Sequence, residues 1–273
     1  MKSCRHLILV FAALCLPAGP ALANGNIDRL NGIANGDHRS DAYKARNQYR
    51  NPAETLDWFG IRDDLTVVEI SPGAGGWYSE ILAPYLRDNG KLYVGSYDSE
   101  SEIEYYRRSY KKYADKLAAD PENYGKVVMF EFAPPNKPDL QPAGQADMVL
   151  TFRNIHNWLN NDTADQVFAA VYKVLKPGGI LGLVTHRGAE HMAGKEWSKK
   201  GYVPEAEVIR LAQQAGLQLV DKTEINANPK DTKDHPKGVW TLPPGYRLGD
   251  EDREKYAAIG ESDRMTMKFM KPE

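Results

Sequence analysis

Apolar positions in this chain switch repeatedly between two periods. Thr66 to Ile70 reads as a short buried strand, and Tyr78, Ile81, Leu82 and Tyr85 then recur at spacings of three and four, the signature of a helix with one apolar face. The alternation continues with strands predicted at Leu92–Gly95, Lys126–Phe132, Asp147–Phe152, Ile180–Thr185, Leu217–Ile225 and Met265–Met270. Between them, Ile103, Tyr106, Tyr110, Tyr113 and Leu117 mark one helix, read as core packing rather than a stacking platform. Val167, Phe168, Val171, Val174 and Leu175 mark a second, and Pro204 to Ala215 a third that Gly216 ends. Upstream, Asp41 to Phe59 is expected to be helical, with Pro52 in the first turn of a second helix and Gly60 as its stop. The polar, glycine- and asparagine-rich stretch from Asn24 to Ser40 is expected to be a loose leader.

Strands alternating with helices predict an α/β fold in which a mostly parallel sheet is covered on both faces and joined by right-handed crossovers. The last two strands break the rhythm. No clear helix separates them, and the 39 residues 226–264 are rich in proline and turn signals, so the final strand is expected to run antiparallel. If the preceding strand is parallel, this connection leaves from the ligand-binding rim. It is far longer than the usual loop of about 4–6 residues, and it can form either a lid carrying Asn226, Asn228, Trp240, Tyr246 and Arg247 or a cover for the sheet edge.

The first residues have a different character. Lys2 and Arg5 precede the apolar run Leu7–Leu16, and Ala21-Leu22-Ala23 supplies a small-x-small pattern. This predicts a secretory signal peptide over residues 1–23, cleaved after Ala23, and a periplasmic or secreted product; the apolar run falls short of the roughly 20 residues a membrane-spanning helix needs. Residues 24–60 then form an N-terminal leader with helices, and 61–273 the main domain with its insertion. Both cysteines, Cys4 and Cys15, lie in the signal, which excludes disulfides, thiolate metal sites and cysteine nucleophiles from the remainder. The formal charge of the whole chain is −2, and loss of Lys2 and Arg5 makes it more negative. No basic stripe offers the phosphate neutralisation that nucleic acid requires. After the signal, no apolar run is long enough for a membrane, so the expected partner is a small-molecule ligand or substrate.

Three motifs carry a family resemblance. Glu69-Ile70-Ser71-Pro72-Gly73-Ala74-Gly75-Gly76, Asp147-Met148-Val149-Leu150 and Leu175-Lys176-Pro177-Gly178-Gly179 together resemble the class I S-adenosylmethionine-dependent methyltransferase family. The signal and long tail further resemble a group of exported bacterial proteins catalogued as predicted methyltransferases. The resemblance implies a Rossmann-like, doubly wound, seven-stranded sheet of order 3-2-1-4-5-7-6 with strand seven, the last along the chain, antiparallel, and S-adenosylmethionine over the carboxyl ends of strands one, two and four. It implies cofactor contacts from Glu69, Ser71, Gly73, Ala74, Gly75, Gly76 and Asp98. Two positions depart from the pattern: Ser71 replaces the usual first glycine, and the ribose-binding acid is missing at Ser96, so that Asp98 is its expected substitute. Glu69 reads as either a cofactor contact or a brace for the loop.

Catalytic candidates sit after the fourth and fifth strands. His156 suits general-base work because an imidazole titrates near neutrality, with capping or packing against Trp158 as the competing reading. His186 and Arg187 share the same rim as further catalytic candidates. Arg153, Asn154, Trp158 and Trp240 are candidate substrate contacts, the arginine suiting an anionic or carbonyl group. His186, Glu190 and His191 lack the helical spacing of a metalloprotease site, and no metal is expected. Methyl transfer is the leading activity. The alternative is an exported small-molecule-binding protein that keeps the fold without the chemistry; a hydrolase finds no G-x-S-x-G elbow to support it.

Overall fold

The computed structural model describes residues 21–273. The expected signal peptide lies outside the described residues except for Ala21–Ala23, which open the first helix. Eight strands form the sheet: β1 (Thr66–Ile70), β2 (Lys91–Ser96), β3 (Val128–Glu131), β4 (Ala146–Phe152), β5 (Leu175–Gly188), β6 (Val203–Pro204), β7 (Gln218–Thr223) and β8 (Arg264–Met270). Their order is β3-β2-β1-β4-β5-β8-β7, with the two-residue β6 pairing beside β5. β8 runs antiparallel to both neighbours and the other pairings are parallel. With the unforeseen β6 set apart, this is the expected Rossmann-like order.

Period-two alternation assigns the two sheet faces. Val68, Ile70, Val149, Leu181 and Leu183 face one way and pack against the helices Ala164–Val174 and Glu205–Gln214. Val67, Leu92, Val94, Met148 and Leu150 face the other, under the helices Ala21–Ala34, Pro52–Phe59 and Ser79–Leu86. Gly60 ends the middle one in the left-handed conformation, where the absence of Cβ removes the steric penalty. The Pro177-Gly178-Gly179 turn is absorbed into β5 as an irregularity: Ala146 pairs with Leu175, but Met148 already pairs with Ile180.

Three expectations are corrected. The stretch from Asn24 is no loose leader; it continues a helix to Ala34, with Leu30 and Ala34 wholly buried. Its apolar residues sit at helical spacing inside a glycine- and asparagine-rich composition that masked them. The tyrosine stripe is core only at its carboxyl end, where Tyr113 is buried, while Ile103 and Tyr105 are exposed and Tyr106 lines a cavity. The 226–264 connection also contains a helix, Arg253–Ile259. Among the described residues, no helix is long and apolar enough to cross a membrane.

Candidate functional site

The glycine loop begins where β1 ends. Ser71 donates its N–H to the Gly95 carbonyl at 2.8 Å and takes a left-handed φ of 52°, a region a side chain enters at a cost. Gly73 (φ 72°) is open, with nothing within 4 Å of where a Cβ would stand. The next glycines are glycines for packing. A Cβ on Gly75 would lie 1.8 Å from the Tyr43 hydroxyl, and one on Gly76 would lie 2.5 Å from the Tyr113 ring. Below the loop, Tyr113 donates to Ser79 Oγ at 2.9 Å and Ser79 donates to Glu69 Oε2 at 2.6 Å. Glu69 therefore braces the start of the following helix. Burial raises its carboxyl to about 7 against the lowering effect of the Ser79 hydroxyl.

A cavity of about 610 Å³ opens beside this loop, within the usual size range of small-molecule sites. Successive strand ends line it: Ser71 after β1, Tyr97 and Asp98 after β2, Phe132 to Asn136 after β3, and Asn154, Asn157 and Trp158 after β4. Of the expected cofactor set, Ser71 and Asp98 touch the cavity. Glu69, Gly73, Ala74, Gly75 and Gly76 do not line it. Asp98 accepts from Lys137 at 2.6 Å, a bond that holds its carboxyl below the ordinary value, and Lys137 also pairs with Glu131. Asn154 uses its amide as a clamp, donating to the Ile70 and Ser71 carbonyls (both 3.1 Å) and to Thr151 Oγ1 (3.0 Å). It thus fixes the end of β1 to that of β4 while still facing the cavity. Trp158 does the same between core and cavity, meeting Phe168 edge-on at 6.2 Å.

The opposite wall comes from segments that sequence reasoning missed or only half saw. Tyr97 stacks on Tyr106 at 4.7 Å, so the tyrosine spacing served two ends, core at Tyr113 and cavity at Tyr106. Trp240 and Arg247 of the long connection complete the lining, with the guanidinium 4.7 Å from the indole centroid. Tyr97 had a usable signal in its place beside Asp98; the loop 132–136 had none beyond its prolines.

His156 and His186 lie behind Trp240 rather than in the cavity. Their rings are 5.7 Å apart, and Trp240 meets them edge-on at 5.4 and 6.2 Å. Among the described residues, neither ring nitrogen of His156 has a hydrogen-bond partner; His186 Nδ1 is hydrogen-bonded to Ser262 Oγ at 2.5 Å and its Nε2 has no partner. Burial, followed by the field of Arg153, lowers His156 to about 4, and burial holds His186 well below its ordinary value. Both imidazoles are therefore neutral at pH 7. Arg187 is placed elsewhere. It is held by Glu224 at 2.7 Å, Glu205 at 3.4 Å and Asp263 at 3.8 Å, which ties β5 to the start of the helix Glu205–Gln214 and to the segments at both ends of the long connection, outside the cavity lining. Arg153 neighbours the histidines with a left-handed φ of 64°. Among the described residues, no group of three or more histidine, cysteine or carboxylate side chains could hold a metal ion.

No protein-family model matches the sequence, and no curated protein matches it. Solved structures do match in shape. A SAM-dependent methyltransferase from Aquifex aeolicus aligns with a TM-score of 0.55 at 13% identity, over 90% of this chain and 98% of that one. The [4+2]-cyclase SpnF aligns at 0.54 and 18% identity, over 92% and 93%. A geranyl diphosphate methyltransferase, solved in complex with GPP and sinefungin, aligns at 0.54 and 16% identity, over 81% and 77%. The chain thus has the fold of class I methyltransferases, and a cyclase among the matches shows that this fold does not fix the reaction.

Proposed function

We propose that this protein is a S-adenosylmethionine-dependent methyltransferase acting on a small molecule. The observation that carries the reading is the cavity at the carboxyl ends of β1 to β4, the crevice where open α/β sheets bind ligands. Its lining suits the cofactor. Tyr97, Phe132 and Pro134 offer flat apolar walls to an adenine. Asp98 keeps one carboxylate oxygen beyond its bond to Lys137 for a ribose diol. The strand end at Ser71, with the open Gly73 beside it, offers bare backbone to the amino-acid part. When bound, the cofactor supplies an electrophilic methyl group. The chain's own residues position and shield: Asn154 fixes two strand ends, and Trp240 with Arg247 covers the cavity against water. His156, neutral and unpartnered at both ring nitrogens, can hydrogen-bond an acceptor that passes Trp240, and burial, which lowers it to about 4, leaves it a weak base there.

The amino-terminal pattern supports an exported protein of the bacterial predicted-methyltransferase group, acting in the periplasm or outside the cell. Fractionation of cells making the full chain is expected to find the product, shortened at Ala23, outside the cytoplasm. Calorimetric titration of residues 24–273 with S-adenosylmethionine and S-adenosylhomocysteine is the direct test of function. Saturable micromolar binding is expected, weakened about tenfold or more by Asp98→Ala, which removes a charge-assisted contact. Absence of binding to either compound would replace this reading with that of a small-molecule-binding protein.

A further inference from the structure

Behind Trp240 lies a cluster that the cofactor cavity does not use. Arg46, Arg50 and Arg264 converge on the single carboxylate of Glu261: Arg46 Nε at 2.6 Å, Arg50 Nε at 3.1 Å and Arg264 through a terminal nitrogen. Arg50, Arg264 and Glu261 are each at most 3% exposed. Burial alone would raise the Glu261 carboxyl, yet the three guanidiniums hold it well below its ordinary value. One carboxylate cannot satisfy this group. Both terminal nitrogens of Arg50 are buried without a hydrogen-bond partner, and its guanidinium rests 4.6 Å from the Trp77 ring centroid. Arg153 adds a fourth guanidinium, which makes no hydrogen bond or ion pair among the described residues and feels the repulsion of Arg264.

The histidines belong to the same place. His186 on β5 is the direct cross-strand partner of Arg264 on β8, so their side chains stand on one face of the sheet. His186 Nε2 and both nitrogens of His156 are unpartnered there. Arginine has donors and no acceptor, so the open valences of this cluster call for acceptor oxygens and negative charge. Leaving buried cations unmatched is costly, and Arg153 stores further strain at its positive φ. Such excess at one spot is the mark of a site built for a ligand rather than for stability.

We infer that Arg50, Arg153 and Arg264, backed by His156 and His186, form an anion-binding subsite for a carboxylate- or phosphate-bearing small molecule, which is the methyl acceptor. Planar guanidinium forks match both oxyanions. Trp240 is the partition, its indole lining the cofactor cavity and meeting both imidazoles edge-on. An acceptor anchored by its anion would project its other end past that ring toward the cavity. Naming the acceptor class rests on the methyl-transfer reading, but anion binding is testable without the cofactor.

The test is a titration of residues 24–273 with inorganic phosphate and, separately, succinate, at constant ionic strength, followed by thermal shift and calorimetry. Saturable binding of one is expected, and whichever binds assigns the oxyanion. Arg153→Gln should weaken it at least tenfold, with Arg153→Lys in between. Because the Arg153 guanidinium has no partner among the described residues and sits near Arg264 and Arg46, Arg153→Gln without ligand should melt no lower than wild type. Trp240→Ala, which removes the partition, gives an independent arm and should speed association. No saturable binding by the wild type, or equal affinity in Arg153→Gln, would overturn the subsite. A separate S-adenosylmethionine titration shows whether the cofactor reading stands or falls on its own.

Discussion

Single residues in this protein carry opposing loads. Ser71 holds a left-handed backbone that a glycine would hold freely, so Ser71→Gly should stabilise the fold by about 1 kcal/mol, a rise of roughly 2–4 °C in melting temperature for a domain of this size. A lower melting temperature would mean that the hydroxyl is worth more than the strain. Glu69 titrates against burial. Its folded value of about 7 lies above its ordinary 4.5, so its contribution is intact below pH 4.5 and is lost as pH rises through 7. Glu69→Gln keeps an acceptor for Ser79 and removes the charge. Its stability relative to wild type should therefore climb between pH 4.5 and 8, by about 3 kcal/mol at most. Urea unfolding at several pH values reads this directly, and parallel profiles for the two proteins would refute it. His156 works in the opposite sense: with its value lowered to about 4, its contribution is complete above 6.5 and is lost as pH falls through 4. Comparing variant with wild type isolates the Glu69 limb from it.

At the scale of elements, the helix Ala21–Ala34 is part of the core and not a tether. Leu30→Ala should cost about 3 kcal/mol, as for other fully buried leucines, measurable by denaturant unfolding; a change below half a kcal/mol would restore the loose-leader picture. This element also shows where sequence legibility ended. β1, β2, β4 and β8 were readable to within a residue or two because their apolar runs are bounded by turn residues, and the sheet order came from the family resemblance that the glycine loop, Asp147 and the Pro177-Gly178-Gly179 turn carry together. The first helix was hidden because glycine and asparagine dominate its composition while only Ile27, Leu30, Ile33 and Ala34 hold its face. In the site, Ser71, Asp98, Asn154 and Trp158 were named from their strand ends and Trp240 from the long connection, and all five line the cavity. Tyr43 over Gly75 was invisible, since nothing local in either segment points to the other. The arginine cluster was invisible for the same reason: only Arg153 lies near a motif.

For the whole molecule, the long connection is bound in at several points rather than draped over the surface. Asp231 accepts from the Tyr202 hydroxyl at 3.0 Å, from His235 Nε2 at 2.9 Å and from the Lys233 and Asp263 backbone N–H groups at 2.9 Å each. Asn226 bridges Thr55 and Thr266 at 2.9 Å each. These bonds hold Trp240 and Arg247 where they wall the cavity, so the sheet and its cover stand as one body.

Glu261 meets Arg46 and Arg50 across separations of 215 and 211 positions. Two short segments more than two hundred positions apart are thus clasped together. Contacts of such sequence separation form slowly. In a refolding time course followed by pulsed hydrogen exchange, amides of 43–50 and 261–264 should gain protection after those of β1 and β4; simultaneous protection would contradict this order. The carboxylate of Glu261 thus works as a late latch: the sheet can assemble without it, and the segments it joins become fixed to each other only once the strands between them are in place.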